Sequence, residues 1–291
     1  MNSDTAHPSD SGLTPVAPFA FNDRHVLAGA AYRDGSRLAA RQNLFTWANP
    51  RHDLPAIIAA ALRDHFGGRQ KFTLVDVGAG NGTYTRHLRN AFPDARIAAL
   101  DISPGILAGL EPPTLVADAA ALPFADSSID AVLALHMLYH LRDPDTGLSE
   151  LARVLAPDGV AYISTNHSRD KEQLDQLWSR AAADVLGVTS GPQRISLSSH
   201  FSLDTAADRM EAHFETVLTT DINSRIEIHH ADPVIAHLAS YQAWANQAGV
   251  PFQPTLDRAR QIITQHIGSH GEFTITVHSA ICTATGPARR E

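Results

Sequence analysis

Gly78, Gly80 and Gly82 stand at alternate positions between the apolar run Leu74-Val75-Asp76-Val77 and a stretch with helical spacing. Glycine tolerates left-handed backbone and lets a ligand lie against the main chain, while free amides at a helix N-terminus attract anionic or polar groups. The turn from Asp76 to Gly82 is therefore predicted to hold a small polar metabolite. Asp101 closes the next apolar run, about 19 residues after Gly82, where a carboxylate can accept both hydroxyls of a bound ribose. His136 and His140 follow a fourth apolar run and His167 follows a fifth; an imidazole beside a pocket is a general-base candidate for an acceptor that must lose a proton. The 16 histidines show no pattern that combines with carboxylates to demand a metal, and none is expected.

Positioning these groups requires a sheet whose strand ends converge. Strands are predicted at Phe72–Val77, Arg96–Asp101, Thr114–Ala117, Ile129–Leu135 and Val160–Thr165, alternating with helical patterns as in repeated βαβ units. Asp53 is read as the cap of a helix reaching Phe66, and Tyr84, Leu88 and Phe92 mark a helix that starts near Gly82 and stops at Pro93. A further helix is predicted over Thr146–Ala156, with Pro157-Asp158-Gly159 as a turn into the fifth strand. Beyond it, helices around Leu174–Val185 and Leu203–Ala212 lead to a sixth strand near Thr216–Asp221 and a last strand over Glu272–Thr283. About 50 residues separate those two strands, too many for a hairpin loop, and a helix with Asp232 as N-cap and Pro233 at N1 opens a cap over the site.

A dinucleotide fingerprint would place glycine at 78, 80 and 83, but Thr83 occupies the last of these. The observed spacing instead resembles motif I of the class I S-adenosylmethionine (SAM)-dependent methyltransferases. Val116-Ala117-Asp118-Ala119, Leu122-Pro123-Phe124 and Ser128-Ile129-Asp130 resemble the adenine-binding segment and fourth strand of that family. The run Ala134-Leu-His-Met-Leu-Tyr-His-Leu141, with Glu150-Leu-Ala-Arg-Val-Leu-Ala-Pro-Asp-Gly159, looks like its ubiquinone/menaquinone-biosynthesis type, which acts on small molecules. The resemblance covers Phe72 to Thr165, and the flanks look loosely like bacterial natural-product methyltransferases.

The resemblance implies an α/β fold with a Rossmann-like doubly wound sheet, mostly parallel with an antiparallel last strand, plus helical lid and cap insertions. SAM is the implied cofactor and S-adenosylhomocysteine (SAH) the product, with Asp118 meeting the adenine amino group and Ala119 lying against the ring. A cofactor carboxylate leaving water calls for a charge-assisted partner. The segment Tyr32 to Trp47 is therefore expected to be a helical lid, with Tyr32 and Arg41 reaching the methionyl end, although Arg37, four residues earlier on the same helical face, could take the arginine's role. The full cofactor-binding set is Tyr32, Arg41, Asp76, Gly78, Ala79, Gly80, Gly82, Asp101, Ile102, Asp118, Ala119 and His136; the general-base candidates are His136, His140 and His167.

Composition bounds the rest. The 291 residues are 44% hydrophobic and 19% charged, enough for one large domain with a sizeable core. A net charge of -8 argues against a nucleic-acid partner, whose phosphates call for clustered cations. Cys282 alone cannot form an intrachain disulfide and is read as a core residue. No signal peptide or membrane span is read, so the expectation is a cytoplasmic monomer or homodimer acting on a small-molecule methyl acceptor. The predicted organisation is a disordered tail over 1–18, a lid over 19–50, a SAM-binding domain over 51–286 with its cap near 231–270, and a frayed end over 287–291. Two rivals stay open: a SAM-binding protein with regulatory or other chemistry, and an NAD(P)-dependent oxidoreductase.

Overall fold

The computed structural model describes residues 22–288, so the predicted tail over 1–18 lies outside the described residues, as do 289–291. Along the chain, α1 (Arg24–Val26), α2 (Ser36–Asn43) and β1 (Ala48–Asn49) precede α3 (Leu54–His65). The core then runs β2 (Thr73–Val77), α4 (Thr83–Ala91), β3 (Arg96–Asp101), α5 (Pro104–Leu107), β4 (Thr114–Val116), β5 (Ile129–Leu135), α6 (Pro144–Val154) and β6 (Leu155–Asn166). After α7 (Glu172–Leu186) and α8 (Leu203–Glu211) come β7 (Phe214–Asp221), β8 (Ser224–Ile228), α9 (Asp232–Ala239), α10 (Phe252–His270), β9 (Phe273–Val277) and β10 (Ser279–Pro287).

Seven strands form one sheet in the order β4-β3-β2-β5-β6-β10-β7, parallel except for β10, which runs antiparallel to both of its neighbours. Side chains alternate across it with the two-residue period of a strand. Leu74, Ile97, Ala131 and Leu133 pack on one face against Ile58 and Leu62 of α3 and Leu88 of α4. Val75, Val77, Val132 and Ala134 pack on the other against Leu148 and Leu151 of α6 and Met210 of α8. With both faces covered, the strands read as nearly unbroken apolar runs, as predicted. Ile58 and Leu62 are fully buried, each contributing about 1.5–3 kcal/mol, and Asp53 accepts the Ala56 amide at 3.1 Å as the predicted cap.

Several boundaries differ from expectation. The helix α6 begins at Pro144 because Asp143 caps it, accepting the Asp145 amide at 3.1 Å. Residues 157–159 lie within β6: Ile129 pairs with Leu155 and Ala131 with Val160, so the predicted turn survives as a bulge inside the strand. Asp232 is the first helical residue of α9, after Ala231, and its carboxylate pairs with Arg260 rather than capping. Pro287, assigned to a frayed end, is the last residue of β10, opposite Phe214.

The largest correction concerns the cap. The predicted single last strand is two strands, β9 and β10, separated at His278 and belonging to different sheets. The unpredicted strand β8 pairs with β1 and β9 in a second, three-stranded antiparallel sheet. This sheet shares a core with α7, α9 and α10 built from Trp178, Leu238, Ile263 and Ile275, with Leu44 of the N-terminal segment inserted into it. The cap thus draws on residues well outside 231–270. The lid is also less regular than one helix: a π-helical turn over Leu27–Ala31 and a bend lead into α2, and a 3-10 turn over Leu44–Trp47 follows. Among the described residues no helix is long and apolar enough to cross a membrane.

Candidate functional site

The strand order reverses between β2 and β5, which both leave the sheet centre in the same direction. Such a switch point opens a crevice at the carboxyl ends of the strands, the usual ligand position in open α/β sheets. A cavity of about 1160 Å³ lies there, roofed by the N-terminal segment and the cap. That exceeds the roughly 300–1,000 Å³ that houses one drug-sized ligand.

The glycine turn forms one wall. Gly78, Gly80 and Gly82 all have positive φ, at 69°, 55° and 72°. A Cβ at Gly78 would come within 2.7 Å of Met137 Cβ, and one at Gly80 within 2.8 Å of Leu38 Cδ2 on α2. Gly82 is the N-cap of α4, a Cβ there would meet Leu110, and it is not among the cavity-lining residues. The amides also behave differently from expectation. Gly80 donates to Asp101 Oδ2 at 3.0 Å, Ala79 to the Leu100 carbonyl and Gly82 to the Ala79 carbonyl, so these three are satisfied within the protein.

Asp101, at the end of β3, also accepts the Ser103 amide at 3.0 Å, and burial raises its pKa. Its carboxylate therefore holds both the glycine turn and the start of α5 while lining the cavity beside Ile102. Asp76 is buried under the turn, accepts the Thr85 hydroxyl at 2.5 Å and is pushed up to about 6 by desolvation. Asp118 and Ala119, after β4, line the far end; Asp118 accepts the Ala120 amide at 2.9 Å and pairs with Arg24 of α1.

The lid brings Tyr32 and Arg41 into the same cavity. Arg41 is 8% exposed, and its guanidinium lies 4.9 Å from the Tyr32 ring, 5.5 Å from Tyr241 and 5.9 Å from Trp244. Its two terminal nitrogens make no hydrogen bond of good geometry, although the guanidinium is near enough to the Tyr32 hydroxyl to oppose the burial-driven rise of that group's pKa. A buried guanidinium with unmade hydrogen bonds costs free energy that cation–π contacts offset only in part. Tyr32 is fixed from below by His140, whose Nε2 lies 2.7 Å from the hydroxyl, and Asn81 Nδ2 donates to Gln42 Oε1 at 2.8 Å, tying the turn to α2.

Three sequence-predicted histidines separate here. His136 lines the cavity at φ 54°, its amide held by Ser164, and burial with the nearby Lys171 ammonium pushes its pKa down to about 4. His140 is pushed down to about 3 by burial and Arg41, and is occupied by Tyr32. His167 is not among the lining residues: its Nε2 pairs with Asp204 at 2.9 Å on a half-exposed surface.

The cap supplies groups that the sequence reading missed. Lys171 and Asp170 form a buried ion pair facing the cavity; Arg194 also lines it and forms a half-buried pair with Asp175 at 2.8 Å. His237, on α9, is 2% exposed, and neither ring nitrogen has a hydrogen-bond partner. His237 had a visible signal, since it sits on the stripe made by Val234, Leu238 and Tyr241. Lys171, outside any regular pattern and at φ 57°, had none.

Residues 75–163 match a family model described as a methyltransferase domain. Malonyl-[acyl-carrier protein] O-methyltransferase of Hahella chejuensis is 36% identical over 112 residues, 36% of this chain and 40% of that protein. Demethylmenaquinone methyltransferase of Thermus thermophilus is 37% identical over 99 residues, 31% of this chain and 45% of that protein. The chain thus spans less than half the length of these relatives. A solved structure from Anabaena variabilis, named for a methyltransferase of an antibiotic biosynthesis pathway, superposes with a TM-score of 0.50 at 16% identity, covering 79% of this chain and 97% of that one. At that identity the likeness concerns the fold.

Proposed function

We infer that this chain, whose residues 75–163 match a methyltransferase domain, is a class I methyltransferase that binds SAM and transfers the methyl group to a small molecule. The observation that carries this reading is the buried, incompletely bonded Arg41 guanidinium, which lines the same cavity as Asp101 and Asp118. These three groups match the charged and polar ends of SAM: a carboxylate for Arg41, ribose hydroxyls for Asp101 and the adenine amino group for Asp118. The insertion of antiparallel β10 between β6 and β7 supports the same reading over a dinucleotide oxidoreductase, whose strand order 3-2-1-4-5-6 has no strand inserted there.

SAM bound there would supply a sulfonium methyl group already activated for in-line displacement. The protein's part is to align, desolvate and exclude water. The roof of Tyr32, Leu38 and Arg41 closes the methionyl side, with Ala119 beside the base. His136 faces the cavity, as His237 does; neutral with its pKa at about 4, it can accept a hydrogen bond from a hydroxyl or amine acceptor but is a weak base. The flank resemblance supports natural-product biosynthesis as the setting.

Calorimetric titration with SAM, SAH and NADH tests the reading. One equivalent each of SAM and SAH should bind and NADH should not. Binding of NADH alone would overturn it.

A further inference from the structure

The acceptor end of the cavity is defined by the cap, and its polar wall is one-sided. Lys171 has a single hydrogen bond from its ammonium, to Asp170. Arg194 donates Nε to Asp175, lies with its guanidinium 5.4 Å from the Tyr241 ring and lines the cavity, with two terminal nitrogens beyond the one used on Asp175. His237 contributes a buried imidazole whose neighbouring hydrogen-bonding group, the Arg41 main chain, is too poorly aligned to form a full hydrogen bond. The neighbouring carboxylate oxygens, by contrast, are largely taken: Asp170 Oδ1 accepts the His278 amide at 3.0 Å, Asp170 Oδ2 accepts Lys171, and Asp175 Oδ1 accepts Arg194. Ammonium and guanidinium groups donate and never accept, so a ligand here must bring acceptors, and an anionic one gains charge-assisted bonds.

Electrostatics and backbone agree with the hydrogen-bond count. Burial first, then Arg194, Lys171 and Arg41 hold His237 well below the ordinary histidine range, while the Arg41 main chain beside the ring acts in the opposite sense. Three cations thus converge on one buried imidazole, countered by the Asp170 and Asp175 carboxylates. Lys171 and His136 are two of the three non-glycine residues with positive φ among the described residues, and both line the cavity. Strain of this kind persists where the surroundings hold a side chain in a required direction. Around Lys171 those surroundings are its own amide on the Thr276 carbonyl, its ion pair and the Phe45 ring at 5.3 Å.

We propose that the acceptor carries a carboxylate, which docks against Lys171, Arg194 and His237 while SAM occupies the glycine-turn side of the same cavity. The proposal rests on the methyltransferase reading and narrows it to acidic small molecules. Amines are disfavoured here, since an ammonium would meet a donor wall.

The test is calorimetric titration of the full chain, saturated with SAH, with hexanoate and benzoate and with the matched neutral hexanamide and benzamide. At least one carboxylate should bind about tenfold or more tightly than its amide, a gap of about 1.4 kcal/mol. Lys171→Met and Arg194→Gln should each bring the carboxylate close to amide affinity and leave SAH affinity within about twofold. Equal binding of acid and amide, binding of neither, or a carboxylate preference that survives in both folded variants overturns the proposal. The wild-type comparison decides alone if the variants do not fold. Failure of SAH itself to bind would instead overturn the methyltransferase reading.

Discussion

Replacing Arg41 with methionine should change stability and affinity in opposite directions. In the free protein Arg41 is 8% exposed and lacks well-aligned partners at both terminal nitrogens, so its desolvation costs several kcal/mol. Three ring contacts, at 4.9, 5.5 and 5.9 Å, return about 0.5–2 kcal/mol each. Methionine keeps most of the packing volume and removes both sets of terms. The melting temperature of free Arg41→Met should therefore hold or rise, by about 2–4 °C for each 1 kcal/mol gained. With ligand the sign reverses. Losing charge-assisted hydrogen bonds to the cofactor carboxylate costs about 1.5–3 kcal/mol, or roughly 10- to 150-fold in SAH affinity. At an SAH concentration of about 100 times the wild-type Kd, ligand stabilisation should fall from about 2.7 kcal/mol to about 1.4 kcal/mol or less. Differential scanning fluorimetry with and without SAH, alongside calorimetry, reads both effects. A variant that loses several degrees when free but binds SAH as tightly as wild type would show that Arg41 is a packing residue and that the carboxylate lies elsewhere.

Other substitutions probe the same wall. Asp101→Ala should weaken SAH binding by about 1–3 kcal/mol and, because the Gly80 and Ser103 amides lose their acceptor, also lower the free protein's melting temperature; an unchanged Kd would remove Asp101 from the site. Gly78→Ala forces a Cβ to within 2.7 Å of Met137 Cβ at φ 69°, so urea denaturation should show a loss of about 1 kcal/mol or more; a neutral result would mean the turn is wrongly built. Tyr32→Phe strips His140 Nε2 of its 2.7 Å partner in a buried setting, costing about 1–3 kcal/mol, and an unaltered melting curve would argue against that bond. Stability should fall as pH drops from about 6.5 towards 4, because the unfolded chain protonates His136 and His140 while the fold holds them near 4 and 3. Asp76, held near 6, opposes this over about pH 4 to 6, since its folded form keeps a proton that the unfolded form has lost. Each histidine adds about 1.4 kcal/mol per pH unit within its window, so His136→Gln should flatten the descent; an identical slope would refute the shift.

What was legible in the sequence is the part governed by local rules. The glycine turn, Asp101 at a strand end and the Asp53 cap follow from backbone sterics and periodicity over a few residues, and each sits where the pattern placed it. The cap was largely illegible because its sheet joins residues far apart in sequence: Ala48 faces Ile226, which faces Ile275. No local period announces a two-residue strand such as β1. Likewise, one apolar run from Glu272 to Thr283 concealed a change of sheet at His278 that only tertiary pairing decides. His167 looked like a base from its place after a strand, but Asp204 on α8 captures it, a contact between residues 37 positions apart.

The change of sheet at His278 bears on how ligands come and go. The strand that ends the cap sheet continues within two residues into the core sheet, and both sides of the junction are pinned: the His278 amide donates to Asp170, and its carbonyl accepts the His167 amide. A cap clamped this way has little freedom to swing. The N-terminal segment is anchored at its far end by Leu44 in the cap core and by β1 on β8, whereas over the cavity polar contacts tie it down: Tyr32 with His140, Gln42 with Asn81 and Arg24 with Asp118. Ligand exchange is therefore expected to pass beneath residues 22–43, and loosening those contacts should speed it.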